Sequence, residues 1–242
     1  MVHARGWRHV ANSPIRPARS WSRGSWLHGC AIVALCSAIV LADPNFDRVV
    51  ALAHSRYGEQ AAETLALWRA LLVSSAGLDE RAKLEAVNNF FNRNVRFEED
   101  QLTWGQSDYW ATPLETLGRG QGDCEDFSIG KYVTLGLLGV PIQRLRITYV
   151  RAELGLLGSG VSQAHMVLAY YETPDAEPLV RDNLISELRP ASRRPDLRPV
   201  FGFNSQGLWV AGQASGPAVS DPTARLSRWR DLLSRMREDG LN

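Results

Sequence analysis

Cys124 stands in the run Gly118-Arg-Gly-Gln-Gly-Asp-Cys-Glu-Asp-Phe-Ser-Ile-Gly-Lys-Tyr132, where a glycine-rich loop leads into an apolar helical pattern. The first N–H groups of a helix have no acceptor within it, and together with the positive end of the helix dipole they favour a thiolate over a thiol. Such a setting can bring a cysteine pKa from about 8.5 to about 3.5–7.5. A nucleophile is the chemistry this placement suggests. Asp123, Glu125 and Asp126 oppose it, because carboxylates flanking a thiol disfavour its ionisation. A nucleophile here needs something that screens those acids. The plainer readings are a buried cysteine acting as a small hydrophobe, and acids that cap a helix, with Asp123 at the N-cap and Asp126 three residues on.

A general base comes next. Beyond the first 42 residues the chain has two histidines, His54 and His165. His54, in Ala-Leu-Ala-His-Ser-Arg-Tyr, reads as a surface residue. His165 opens the alternating run Ala-His-Met-Val-Leu-Ala-Tyr-Tyr. A turn cluster, Glu-Thr-Pro-Asp-Ala-Glu-Pro, follows it, and a hairpin folded near Thr173 and Pro174 sets His165 directly opposite Asp182. Facing residues on antiparallel strands have Cβ atoms about 4.5–5.5 Å apart. Asp182 can then fix the imidazole tautomer while the other ring nitrogen faces a thiol. Alone, His165 reads as a structural strand residue and Asp182 as a strand-end turn residue.

The elements that must position these groups follow from periodicity. Apolar residues at helical spacing predict helices over 59–74, 78–91 and 124–138, the last stopped by Gly139 and Pro141, and a short helical turn begins at Pro113. The period then changes, predicting strands over 142–151, 164–172 and 179–183, with a closing helix over 223–236. Helices first and an antiparallel sheet later describe an α+β domain.

The first 42 residues stand apart. They hold five arginines and no acid, followed by an apolar run from Cys30 to Ala42 that is short for a membrane span. This predicts a secretory leader over 1–42, cut before Asp43, and one domain over 43–242; an uncleaved anchor is the alternative. The full chain has 27 basic and 26 acidic residues. Without the five leader arginines, 22 basic residues face 26 acidic ones, a net charge near −4. No basic block with interleaved aromatics remains, which argues against nucleic acid as a partner. Cys30 and Cys36 leave with the leader, so the exported chain carries Cys124 alone, as a free thiol.

Gly-Asp-Cys-Glu-Asp with Lys131-Tyr132, Ala-His-Met-Val-Leu, Leu-Val-Arg-Asp-Asn and the upstream Tyr109-Trp-Ala-Thr-Pro-Leu-Glu together resemble the bacterial transglutaminase-like cysteine proteinases, over about residues 60 to 210. The resemblance implies a papain-like, transglutaminase-like fold with Cys124 at the start of a central helix packed on an antiparallel sheet. It implies a triad of Cys124 as nucleophile, His165 as acid/base and Asp182 as its orienting group. It also implies calcium held beside the nucleophile at Asp123 and Glu125, with Asp126 as a third ligand. The implied activity is periplasmic cleavage of a large surface adhesin at a small-residue pair such as Ala-Ala, releasing it in biofilm dispersal. The implied regulator is an inner-membrane cyclic di-GMP receptor that sequesters the protease. A transglutaminase-like acyl transferase and a non-catalytic binding module on the same scaffold are the alternatives. Trp110 is a candidate second oxyanion donor, and the loop from Glu153 to Val161 is longer than the family pattern.

Overall fold

A computed structural model describes residues 44–153, 155, 160–210 and 221–241. The leader over 1–42, most of the long loop after Glu153 and the Gly/Ser/Pro stretch over 211–220 lie outside the described residues. In chain order the elements are α1 (Pro44–Tyr57), α2 (Glu59–Ser75), α3 (Glu80–Asn94), β1 (Arg96–Phe97), α4 (Asp100–Thr103), α5 (Pro113–Arg119), β2 (Gln121–Gly122) and α6 (Cys124–Leu137). The sheet strands follow as β3 (Leu145–Glu153), β4 (Ser162–Tyr170), β5 (Leu179–Arg181), β6 (Arg189–Pro190), β7 (Leu197–Phe203) and β8 (Leu208–Val210), and then α7 (Pro222–Arg225) and α8 (Ser227–Asp239). This is the mixed order the periodicity predicts.

α6 is the central element. Every residue from Asp126 to Leu135 is buried, far more than one amphipathic stripe would hide. Phe127, Ile129, Tyr132 and Leu135 share one core with Trp68, Phe91 and Trp229 of other helices and with Ile147, Met166 and Leu168 of the sheet. The buried Trp68 indole N–H donates to Thr134 Oγ1 at 2.9 Å, which satisfies a polar group that burial would otherwise penalise. The sheet runs β6-β5-β4-β3-β7-β8 with every pair antiparallel. Met166 and Leu168 face the main core, while Val167 joins Val150 and Val180 in a small second cluster. By strand alternation His165 lies on the side of that second cluster.

Several boundaries differ from the sequence expectation. Residues 142–144 form a 3-10 turn instead of opening β3, because the Ile142 and Leu145 carbonyls accept from the Asn204 side chain at 3.0 and 2.9 Å. The closing helix is two helices, broken at Leu226, whose φ of −110° and ψ of 95° are not helical. β7 and β8 were not predicted, since Pro199 and a register shift opposite Tyr149 and Val150 blur the alternation of β7. The hairpin register is the correction that bears on the site. Leu168 faces Arg181 and Tyr170 faces Leu179, so extending the ladder puts Asp182 opposite Val167, two residues from His165. A shift of two keeps both side chains on one face, whereas a shift of one would have separated them.

Candidate functional site

The loop that delivers Cys124 is built by close approach. Thr112 caps α5 and exchanges hydrogen bonds with Glu115 in a capping box, with Pro113 in the first turn as expected. Gly120 ends that helix in the left-handed region at φ 64°, and Gly122 lies where a Cβ would come within 2.8 Å of the Asp126 carboxyl group. Parallel pairing of β1 with β2 sets Phe97 beside Gly122 and brings the following acids, Glu99 and Asp100, to the start of α6. Cys124 is the first residue of that helix.

β5 is shorter than β4, so the first half of β4 has no strand beside it on that edge. The Cys124 thiol lies there, close enough to interact with the Met166 backbone N–H. A cleft of about 260 Å³ is lined by Cys124 and His165 together with Phe97, Asp100, Glu125 and Leu184. His165 is 5% exposed and Asp182 1%. His165 Nε2 and Asp182 Oδ1 are 2.7 Å apart, so Asp182 engages Nε2 and leaves Nδ1 for another partner. Asp182 Oδ1 also accepts from the Leu184 N–H at 3.1 Å, and Oδ2 accepts from Arg194 Nη2 at 2.7 Å. Burial alone would raise the Asp182 pKa; the bond and charge of His165, and then Arg194, hold it down at about 2. The main chain of Asp182 is fixed separately, its carbonyl accepting from Lys131 Nζ and Asn92 Nδ2, each at 3.1 Å. Burial lowers the Lys131 pKa to about 7.

The acids around Cys124 behave differently. Asp123 occupies the N-cap of α6, but its side chain makes no capping hydrogen bond, and its Oδ1 is buried without a partner. The simple capping account therefore fails for Asp123. Asp126 accepts from the Ala111 N–H at 2.8 Å through Oδ1, while its buried Oδ2 has no partner. Two acids that local sequence did not point to complete the cluster. Asp100, only 3% exposed, accepts from the Tyr109 N–H and leaves Oδ1 buried and unpartnered; Asp108 lies near Glu125 and pairs with Arg228 at 2.9 Å. Asp100, Asp123 and Asp126 offer oxygens within 4.8 Å of one another, as do Asp100, Asp108 and Glu125. Burial and mutual repulsion push Asp123 up to about 10 and Asp100 up to about 6, and raise Asp126 as well. Buried, unpartnered carboxylate oxygens at this spacing form a donor set for a hard cation such as calcium.

Glu125 lies between the two groups. Its Oε2 accepts from the Cys124 thiol at 3.0 Å. Burial first, and then Glu125 and Asp123, push the thiol pKa up, the opposition that the sequence foretold. Trp110 does not line the cleft: it is buried, stacks on Phe203 at 5.5 Å between ring centroids, and its indole interacts with Asp108. It is therefore not placed to serve as an oxyanion donor. His54 is exposed beside Glu59, as expected of a surface residue.

Residues 52–195 match the model of the bacterial transglutaminase-like cysteine proteinases. The chain belongs to that family. Solved structures agree: Legionella pneumophila LapG, EGTA-treated, is 42% identical with a TM-score of 0.68, over 79% of this chain and 97% of that one. Calcium-bound LapG from the same organism is 40% identical with a TM-score of 0.67, over 79% and 98%. A search of curated proteins gave no match. The matched segment contains Cys124, at the start of the buried helix α6, together with His165 and Asp182. It also reaches Asp100, Asp108 and Arg194, which sequence reasoning passed over. Asp100 ends the run Glu98-Glu99-Asp100 before an aromatic segment, a signal that ordinarily marks a solvated face. No helix among the described residues is long and apolar enough to cross a membrane.

Proposed function

We propose that this protein is an exported, calcium-dependent cysteine endopeptidase that cleaves the N-terminal region of a large surface adhesin in the periplasm and so promotes biofilm dispersal. The observation that carries the catalytic part is the shared cleft of Cys124 and His165, with His165 Nε2 committed to Asp182 at 2.7 Å. Cys124 gives its proton to His165 Nδ1 and attacks a backbone carbonyl. His165 then protonates the leaving amine, and water, deprotonated by His165, releases the acyl group. Asp182 holds the ring and stabilises its charged form. The Cys124 N–H, at the helix start, is the natural first oxyanion donor.

Calcium fits the chain's own residues. Asp123, Glu125 and Asp126, joined by Asp100, would hold it, and the three unpartnered oxygens support that assignment. When bound, the cation supplies positive charge that offsets the acids around the thiol. Calcium-bound and EGTA-treated forms of LapG, a relative at 40–42% identity, support the same reading. The basic, acid-free leader with its short apolar run supports export, and family resemblance supports regulation by an inner-membrane cyclic di-GMP receptor of the LapD type. The test is incubation of the purified protein with the N-terminal region of a co-encoded giant adhesin, with calcium and with EGTA. One calcium-dependent cut that Cys124→Ala abolishes is expected. An intact adhesin fragment in calcium would overturn the reading, and an amine-crosslinked product would make the protein an acyl transferase.

A further inference from the structure

Asp182 lies one residue past the last paired position of β5, so the sheet does not orient its side chain. Lys131 and Asn92 hold its carbonyl, which leaves the carboxylate free to rotate about its own bond to the main chain. What stops that rotation is the occupation of both oxygens, Oδ1 by His165 and the Leu184 N–H, and Oδ2 by Arg194. Arg194 is itself immobilised. It is 4% exposed, and Asp196 accepts from its Nε at 3.0 Å and from its Nη2 at 2.8 Å. Its N–H donates to the Ala191 carbonyl at 2.9 Å, and its own carbonyl accepts from the Leu197 N–H at 3.0 Å. The Asp196 carbonyl accepts from the Glu153 N–H at 2.8 Å, at the end of β3, whose Val150 pairs with His165. The contacts thus close a ring from β4 through Asp182, Arg194, Asp196 and β3 back to His165.

We propose that Arg194 is a positioning residue that locks the Asp182 carboxylate, and through it His165, toward Cys124; this rests on the reading that Cys124 and His165 react together. Two hydrogens on Nη2 serve Asp182 and Asp196 at once while Nε serves Asp196, a division that the planar guanidinium makes possible and a lysine ammonium reproduces only in part. An arginine that merely neutralised a buried acid would stabilise the fold without acting on the thiol.

Alkylation of Cys124 by iodoacetamide in calcium, located by mass spectrometry, separates these roles without needing a substrate. Arg194→Gln should slow it about tenfold, Arg194→Lys less, and Asp182→Asn at least as much as Arg194→Gln. In the Asp182→Asn background, Arg194→Gln should slow it no further, because the carboxylate through which it acts is already gone. Multiplying losses, or a rate in Arg194→Gln equal to or above wild type, would overturn the proposal. His165→Ala is the reference: slowing there without slowing in Arg194→Gln defeats the proposal alone, whereas no slowing in His165→Ala defeats the Cys124–His165 reading and the proposal with it. Should Arg194→Gln fail to fold, Arg194→Lys and Asp196→Asn, each alone and with Asp182→Asn, carry the same comparison.

Discussion

Two sets of buried acids flank the Cys124 cleft. Burial raises the pKa of each, yet Asp182 ends near 2 and Asp123 near 10. The difference is countercharge. Both oxygens of Asp182 meet donors, from His165 and Arg194, that the chain itself provides. Asp100, Asp123 and Asp126 meet chiefly one another, and each keeps a buried oxygen without a partner. Arg228 pairs with Asp108, at the exposed edge of the cluster, and acts on Asp100 only through its charge, too weakly to offset burial. The carboxylate of Asp182 is fully partnered by the chain itself, and the other set has the form of a site that needs a cation to complete it. Glu125, bonded to the thiol, joins the two.

Breaking the completed side should have the largest effect. Cys124→Ala and His165→Ala should each reduce adhesin cleavage at least about 1,000-fold, and Asp182→Asn somewhat less, read as kcat/KM beside melting temperature. The melting temperature of Cys124→Ala should stay near wild type, since the thiol is partly exposed at the cleft. A cleaving Cys124→Ala protein would remove the nucleophile from this account.

Breaking the uncompleted side comes next. EGTA should suppress cleavage, and calcium should restore it better than magnesium, which demands a tighter octahedral shell. A cation bound only by the folded state, at a thousandfold excess over Kd, adds about 4 kcal/mol, so calorimetry should show a melting temperature several degrees lower in EGTA. Asp123→Asn should weaken calcium binding and activity together. Were Asp123 only a cap, asparagine would serve about as well and the substitution would be nearly silent. Equal melting temperatures with and without EGTA would contradict the cation site.

A finer comparison lies within the cluster. Asp100 is buried with a free oxygen, whereas Asp108 is half exposed and already paired. By isothermal titration, Asp100→Asn should therefore weaken calcium about tenfold and Asp108→Asn only a few-fold. The reverse order would move the cation outward, toward Glu125 and Asp108.

What the sequence made legible was local. A glycine loop running into an apolar helix located Cys124, and an alternating strand followed by a turn cluster placed His165 near Asp182. Alternation determines which face a side chain takes but is blind to a shift of two residues, so the pairing was right in face and wrong in register. Asp100 and Arg194 were hidden for another reason. Asp100 reaches the site through pairing of β1 with β2 across the 23 residues between them, and Arg194 through a 3-10 turn after an edge strand; neither contact leaves a periodic trace. Thr112 shows the converse case, since its capping box is written within four residues.

The smallest expected effect distinguishes the two acid sets by pH. Asp182 has a folded pKa below its ordinary value of 3.8, so its stabilisation is present above that value and is lost as pH falls toward about 2. Asp123 and Asp100 have the opposite sign. Folded, they keep protons up to about 10 and about 6 that the unfolded chain releases near 3.8, so stability falls as pH rises through that window. Other groups titrate in the same range, Lys131 among them: with its pKa lowered to about 7, it adds stability as pH rises above that value. The measurement is therefore a difference, wild type against Asp123→Asn, both in EGTA, followed calorimetrically from about pH 5 to about pH 8. Wild type should lose melting temperature relative to the variant as pH rises. In calcium the relation should turn around, because the cation takes the place of those protons and wild type binds it more tightly. Parallel profiles in EGTA would mean that Asp123 carries no buried proton, and the contrast between the two flanks of the cleft would then rest on Asp100 and Asp126 alone.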